Sequence, residues 1–119
     1  MKTTILNILT GILILGGVFF MVSCTSKSEA GEKITFKVYG NCEMCKKTIE
    51  GSLKEFSGLS SASWDVDKKI ITVSFDSSKT NLSEIHKQIA SSGYDTELEK
   101  GNDVAYQNLQ PCCQYDRKK

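Results

Sequence analysis

The stretch Gly40-Asn41-Cys42-Glu43-Met44-Cys45 constrains this chain more than any other. Before it, Ile34-Thr35-Phe36-Lys37-Val38 alternates apolar and polar residues, the pattern of a half-buried strand. After it, Lys46 to Phe56 has the spacing of a helix. The two cysteines therefore fall on a strand-to-helix turn. A helix start points unsatisfied backbone N–H groups and a positive dipole end at what precedes it. That field favours thiolate over thiol, and thiolate is the form that binds metal or attacks a disulfide. The residues leave three chemistries open: metal ligand, redox dithiol or plain disulfide.

Further along, Cys45, Ile49, Leu53 and Phe56 fall on one helical stripe, with Gly58 placed to end the helix in a left-handed cap. Ala62, Trp64 and Val66 alternate with polar residues in a second strand. Asp67-Lys68-Lys69 makes a tight turn into a third strand carrying Ile71, Val73 and Phe75. Asn81 with Glu84 forms a capping box that opens a second helix. Leu82, Ile85 and Ile89 are its buried stripe, and Gly93 closes it. Thr96 and Leu98 alternate with Asp95, Glu97 and Glu99 in a last, polar strand at a sheet edge. The order βαββαβ over 33–100 predicts an α+β, ferredoxin-like sandwich: a four-stranded antiparallel sheet with both helices on one face.

At this point the sequence resembles a known family. Phe36-Lys37-Val38-Tyr39-Gly40-Asn41-Cys42-Glu43-Met44-Cys45-Lys46-Lys47-Thr48-Ile49-Glu50 looks like the heavy-metal-associated domain. The likeness continues through Phe56-Ser57-Gly58-Leu59, Asp65-Val66-Asp67, Val73-Ser74-Phe75-Asp76 and Ile89 to Tyr94. The family includes copper chaperones, the N-terminal modules of metal-pumping ATPases and periplasmic mercury-binding proteins. The resemblance implies metal ligation by Cys42 and Cys45. It also implies a metal-transporting ATPase or other efflux component of the cell envelope as partner. One departure stands out. The family's usual Gly-Met-Thr/Ser before the first cysteine is here Gly40-Asn41, one residue shorter and without the methionine that packs under the loop. Tyr94, after Gly93, is similar to the aromatic of the ATPase modules and mercury-binding relatives, and is expected to pack against the loop and limit solvent access to the thiolates.

Two thiolates on a turn suit a soft ion at low coordination number, Cu(I) first, with Hg(II) for the same reason. Zn(II) prefers four ligands, so two cysteines alone hold it poorly; Cd(II) is a further candidate. Low coordination leaves room for an incoming thiolate, so an ion can pass to a partner without being released. The rival class is a thiol–disulfide oxidoreductase that uses Cys112-Cys113 as its resolving pair. A blander rival is a metal-buffering scavenger with no dedicated partner. No general-base pair, nucleophile–histidine arrangement or phosphate-cradling loop is visible, so catalysis is not expected. His86 reads as a partly buried helical surface residue, and Trp64 as core.

The tail, 101–119, carries the second cysteine pair. Adjacent Cα atoms lie about 3.8 Å apart, whereas an unstrained disulfide wants roughly 4.4–6.8 Å. Cys112 and Cys113 therefore do not pair readily with each other. They remain a free dithiol, pair across to Cys42 or Cys45, or bind metal. A fourth strand antiparallel to the first ends at the pole opposite the CxxC loop, so residues 101–111 must climb back. Eleven residues reach about 36 Å extended or 16 Å as helix, against about 20 Å for a six-residue strand. The expectation weighed against a separate mobile tail is that Tyr106 and Leu109 dock, making a three- or four-thiolate site from Cys42, Cys45, Cys112 and Cys113. The final Asp116-Arg117-Lys118-Lys119 reads as a solvated end.

The N-terminus reads as an address. Ile5 to Val22 is almost wholly apolar after Met1-Lys2, and the run ends Met21-Val22-Ser23-Cys24. This resembles a bacterial lipoprotein signal, 1–23, with Cys24 the first mature and lipidated residue and 24–32 a flexible tether. An uncleaved anchor helix is the alternative. Either version predicts an extracytoplasmic, membrane-anchored, periplasm-facing domain. With 15 basic and 14 acidic residues and a net charge of +1, no basic stripe interleaved with aromatics is visible. No nucleic-acid partner is therefore expected. The expected state is a monomer, with a metal-bridged dimer as the alternative.

Overall fold

The structure is a computed structural model and describes residues 31–117. The expected leader, the Cys24 lipidation site and most of the tether lie outside the described residues, as do Lys118 and Lys119. Among the described residues no helix is long and apolar enough to cross a membrane.

Strand β1 is Glu32–Lys37, helix α1 Glu43–Leu53, β2 Leu59–Asp65, β3 Ile70–Phe75 and α2 Leu82–Ser91. A short helix α3, Asp103–Gln107, and a single 3-10 turn, Pro111–Cys113, follow. The three strands form one antiparallel sheet in the order β1-β3-β2. Phe36, Trp64, Ile71, Val73 and Phe75 from the strands are buried with Cys45, Ile49 and Leu53 of α1 and Ile85 and Ile89 of α2. The same core takes in Cys113 and Tyr115 from the tail.

Local chemistry explains most of the boundaries. Asn81 caps α2, its side chain accepting from the Glu84 N–H at 3.0 Å. The β2–β3 turn is set by Asp65, whose Oδ1 accepts from the N–H groups of Asp67 and Lys68, each at 2.9 Å. Helix α1 differs from expectation at both ends. It begins at Glu43, with Cys42 as its N-cap residue, and stops at Leu53. Gly58 does have positive φ, +87°, but five residues beyond Leu53 it is not the cap. A Cβ there would lie 2.8 Å from Lys79 Cβ, so glycine serves a close chain crossing.

The expected fourth strand does not form. Its remnant is one bridge, Val38 to Thr96, flanked by Tyr39 N–H to Asp95 O at 2.9 Å and Glu97 N–H to Lys37 O at 3.1 Å. The Thr96 hydroxyl captures the N–H groups of Leu98 (3.2 Å) and Glu99 (3.0 Å), and the Thr96 N–H donates to Glu99 O at 2.8 Å. Side-chain capture of backbone donors competes with a sheet ladder, and here it turns the chain back. Leu98 is left exposed. By Gly101 the backbone packs on Gly93 and Tyr94, where a Cβ would fall 2.8 Å from Gly93 C. The tail therefore has no opposite pole to climb back from.

His86 is also a correction, because it is fully buried. Its Nδ1 pairs with Thr96 Oγ1 at 2.6 Å and its ring lies 3.9 Å from that of Phe36. Burial lowers its pKa, so it stays neutral inside the core.

Candidate metal centre

The site begins where β1 hands over to α1. Gly40 is needed there because a Cβ would press on the Trp64 indole at 2.9 Å and on Cys45 Cβ at 3.2 Å. The indole is itself fixed, its Nε1 donating to Val38 O at 3.1 Å. Glu50 of α1 accepts from the Trp64 N–H at 2.8 Å and pairs with Lys46, whose Nζ also donates to Trp64 O at 2.8 Å. Helix start, loop and β2 are thus tied together. Trp64, read from the sequence as core alone, lies directly under the loop.

Cys42 stands in extended conformation just before the helix, half-buried, and its carbonyl accepts the Lys46 N–H at 3.1 Å. Cys45, one turn on, is fully buried, and its Sγ accepts the Asn41 N–H at 3.2 Å. The two sulfurs are 3.8 Å apart. The helix-start amides of Cys45, chiefly, and Met44 hold the Cys42 thiol down at about 7 against its burial. They act through their dipoles, since no side-chain capping hydrogen bond closes.

The tail brings the second pair to the first. Cys42 Sγ lies 3.6 Å from Cys112 O, and Cys112 and Cys113 Sγ are 3.9 Å apart. The sulfurs of Cys42, Cys112 and Cys113 all lie within 4.8 Å of one another. All four described cysteines are free of disulfides. Cys112 is exposed, whereas Cys113 is buried against Cys45. Burial, then the neighbouring Cys45 sulfur, pushes the Cys113 thiol up to about 12.

Tyr94 is fully buried behind these sulfurs. Its hydroxyl faces Thr48 and Cys113 without closing a hydrogen bond. Burial, followed by the charge on Cys45, raises its pKa far above the ordinary phenol range. It therefore remains an uncharged wall of the cluster.

What holds the tail is a pair of residues that spacing alone does not reveal. Tyr115 is buried, accepts from the Asp95 N–H at 2.6 Å and donates to Gly93 O at 3.1 Å. Its ring stacks on Tyr94 at 5.8 Å and meets Tyr106 edge-on at 5.3 Å, and Tyr106 Oη donates to Tyr115 O at 2.6 Å. Arg117, expected to be solvated, grips both Asp95 oxygens at 2.6 and 3.1 Å, Asp103 at 2.7 Å and Gly101 O at 2.6 Å. Asp95 and Arg117 are 22 positions apart in the chain. Tyr106 and Leu109, expected to dock the tail, do pack on the core, and a tyrosine two places beyond the second cysteine pair is a further local hint.

A helix-start pair of cysteines under a buried tyrosine, on this βαββα frame, matches one known family. The model of the heavy-metal-associated domain matches residues 35–95. The chain belongs to this family. Among heavy-metal-associated relatives, the copper chaperone CopZ of Staphylococcus haemolyticus is 29% identical over 55 residues, 46% of this chain and 81% of that one. The mercuric transport protein periplasmic component of Salmonella typhi is 31% identical over 72 residues, covering 60% of this chain and 79% of its own. Of solved structures, a CopZ metallochaperone superposes with a TM-score of 0.53 at 29% identity, over 55% of this chain and 98% of that one. The N-terminal domain of a potential copper-translocating P-type ATPase from Bacillus subtilis, solved in the Cu(I)-loaded state, gives 0.53 at 25% identity, over 60% and 91%. These neighbours support a ferredoxin-like α+β fold.

Proposed function

We propose that this protein is an extracytoplasmic carrier of soft heavy-metal ions, Cu(I) foremost. In this reading Cys42 and Cys45 hold the ion and the tail thiols of Cys112 and Cys113 join them. The observation that carries the reading is the convergence of four free sulfurs from two distant segments at one helix start. Soft thiolates select Cu(I) and Hg(II) over harder ions. Cys42 supplies the readily ionised ligand, and Cys112 is the exposed sulfur that an incoming partner meets first. Tyr94 walls the buried side. The transfer partner is a metal-transporting ATPase or efflux component, in keeping with the ATPase domain among the structural neighbours. Location outside the cytoplasm rests on the apolar leader, with Cys24 as lipid anchor, and on a relative named as a periplasmic component.

Competitive Cu(I) titration of the reduced chain, beside a Cys112→Ser/Cys113→Ser double variant, tests the reading. We expect the wild type to bind more tightly, and Zn(II) and Cd(II) to compete poorly with Cu(I). Equal affinity and stoichiometry would remove the tail from the copper site. Insulin reduction at a rate comparable with a thioredoxin would instead favour the oxidoreductase.

A further inference from the structure

We infer that Cys42, Cys112 and Cys113 form a three-sulfur seat for trivalent, thiol-seeking hydroxo acids, arsenite and antimonite. This seat uses three sulfurs of the proposed copper site and leaves out Cys45. From the reading above it takes only that the cysteines are reduced and free.

The geometry divides the four sulfurs. Those of Cys42, Cys112 and Cys113 lie mutually within 4.8 Å, whereas Cys45 is not part of that triangle. Cys45 is fully buried and its sulfur already accepts the Asn41 N–H at 3.2 Å. The triangle opens to solvent at Cys112, the exposed member. A trivalent arsenic or antimony centre bonds three sulfurs in a pyramid and keeps a lone pair in the fourth direction. It therefore fits a three-sulfur seat with one open side and has no use for Cys45.

Charge balance points the same way. Three thiolates around a trivalent centre sum to zero, whereas around Cu(I) they leave two negative charges. Uncompensated charge is costly in a half-buried site. The hydrogen bonds of the four sulfurs run to the Asn41 N–H, to one another and to Cys112 O. Beyond the helix-start amides that face Cys42, no lysine or arginine among the described residues donates to them, so a neutral complex suits the tail sulfurs better.

Two further features keep the seat ready. Neighbouring cysteines do not close an unstrained disulfide, so Cys112 and Cys113 stay a dithiol. The docked tail holds them beside Cys42 before any ligand arrives, which lowers the entropy lost on binding. The capture step is a condensation. The acid, M(OH)3, meets three thiols; three M–O and three S–H bonds break, three M–S and three O–H bonds form, and three waters leave. The metalloid stays trivalent, and neither oxidant nor reductant is required.

The test is equilibrium dialysis of the reduced full chain against sodium arsenite, with X-ray absorption at the arsenic edge. We expect one arsenic per chain with three sulfur neighbours. Cys112→Ser and Cys113→Ser should each weaken arsenite binding about tenfold or more, while Cys45→Ser stays within about twofold of wild type and loses Cu(I) affinity. Two sulfur neighbours, no arsenite retained, or a loss in Cys45→Ser equal to that in Cys113→Ser would each overturn the proposal. Trp64 fluorescence checks that each variant is folded, and the sulfur count on wild type depends on no variant. A chain that binds Cu(I) but not arsenite fails this proposal alone. One that binds arsenite but not Cu(I) fails the copper reading alone.

Discussion

The two cysteine pairs meet at one place, but different surroundings govern their thiols. In the CxxC pair the first sulfur sits before a helix and is ionised easily, at about 7, while the second lies in the core one turn later. In the tail pair the order of exposure is the same, Cys112 exposed and Cys113 buried, but there it is burial that dominates, pushing the Cys113 thiol up to about 12. Helical spacing lets one backbone dipole act on Cys42, whereas adjacent positions send two side chains to opposite environments. Thiol identity alone therefore predicts little, and the peptide around each sulfur decides its chemistry.

The strongest way to break the comparison is to undock the tail. Tyr115→Ala removes a buried ring with two hydrogen bonds and should cost roughly 3–5 kcal/mol in urea denaturation. In that variant Cys113 should be alkylated as fast as Cys112. Protection that survives would mean that the tail is held by something else. In the folded wild type, iodoacetamide at pH 7 should modify Cys42 about a hundredfold faster than Cys113, read by peptide mass mapping. Arg117→Ala leaves Asp95 without its charged partner and should cost about 2 kcal/mol, with the tail loosened rather than lost.

The same two thiols also give the reduced, metal-free protein a pH signature. The Cys42 thiol is lowered from 9.0 to about 7, so between those values the unfolded chain binds more protons and stability rises with pH. That contribution is lost as pH falls through about 7. The Cys113 thiol is raised from 9.0 to about 12, so its contribution is full below 9.0 and is lost as pH rises towards 12. Urea midpoints followed across pH should lose the lower slope in Cys42→Ser and the upper decline in Cys113→Ser.

Much of this was legible in the sequence, and for physical reasons. The Ile49–Leu53 stripe, the alternation through Ile71, Val73 and Phe75, and the Asn81 cap each report a local rule that the fold obeys. Tyr94, which the family resemblance leads one to expect against the loop, is buried beside Thr48 and Cys113. The fourth strand was misread because Thr96 and Leu98 do alternate, but a hydroxyl that satisfies two amides outcompetes a ladder, and no periodicity reveals that. Reach alone left open whether the tail returns. The contacts that settle it, Tyr115 on Gly93 and Arg117 on Asp95, link residues 22 positions apart and leave no local pattern.

The turn at Thr96 has a further consequence, for self-association. Because the last segment pairs with the chain only around Val38, the part of β1 before Lys37 has no strand on its outer side among the described residues. An uncovered strand edge is a template on which a second chain can add its own backbone. This edge carries Glu32, Lys33 and Lys37, all exposed, and stacking identical copies in register would bring like charges together. Those three side chains therefore act as a guard on solubility along this open edge.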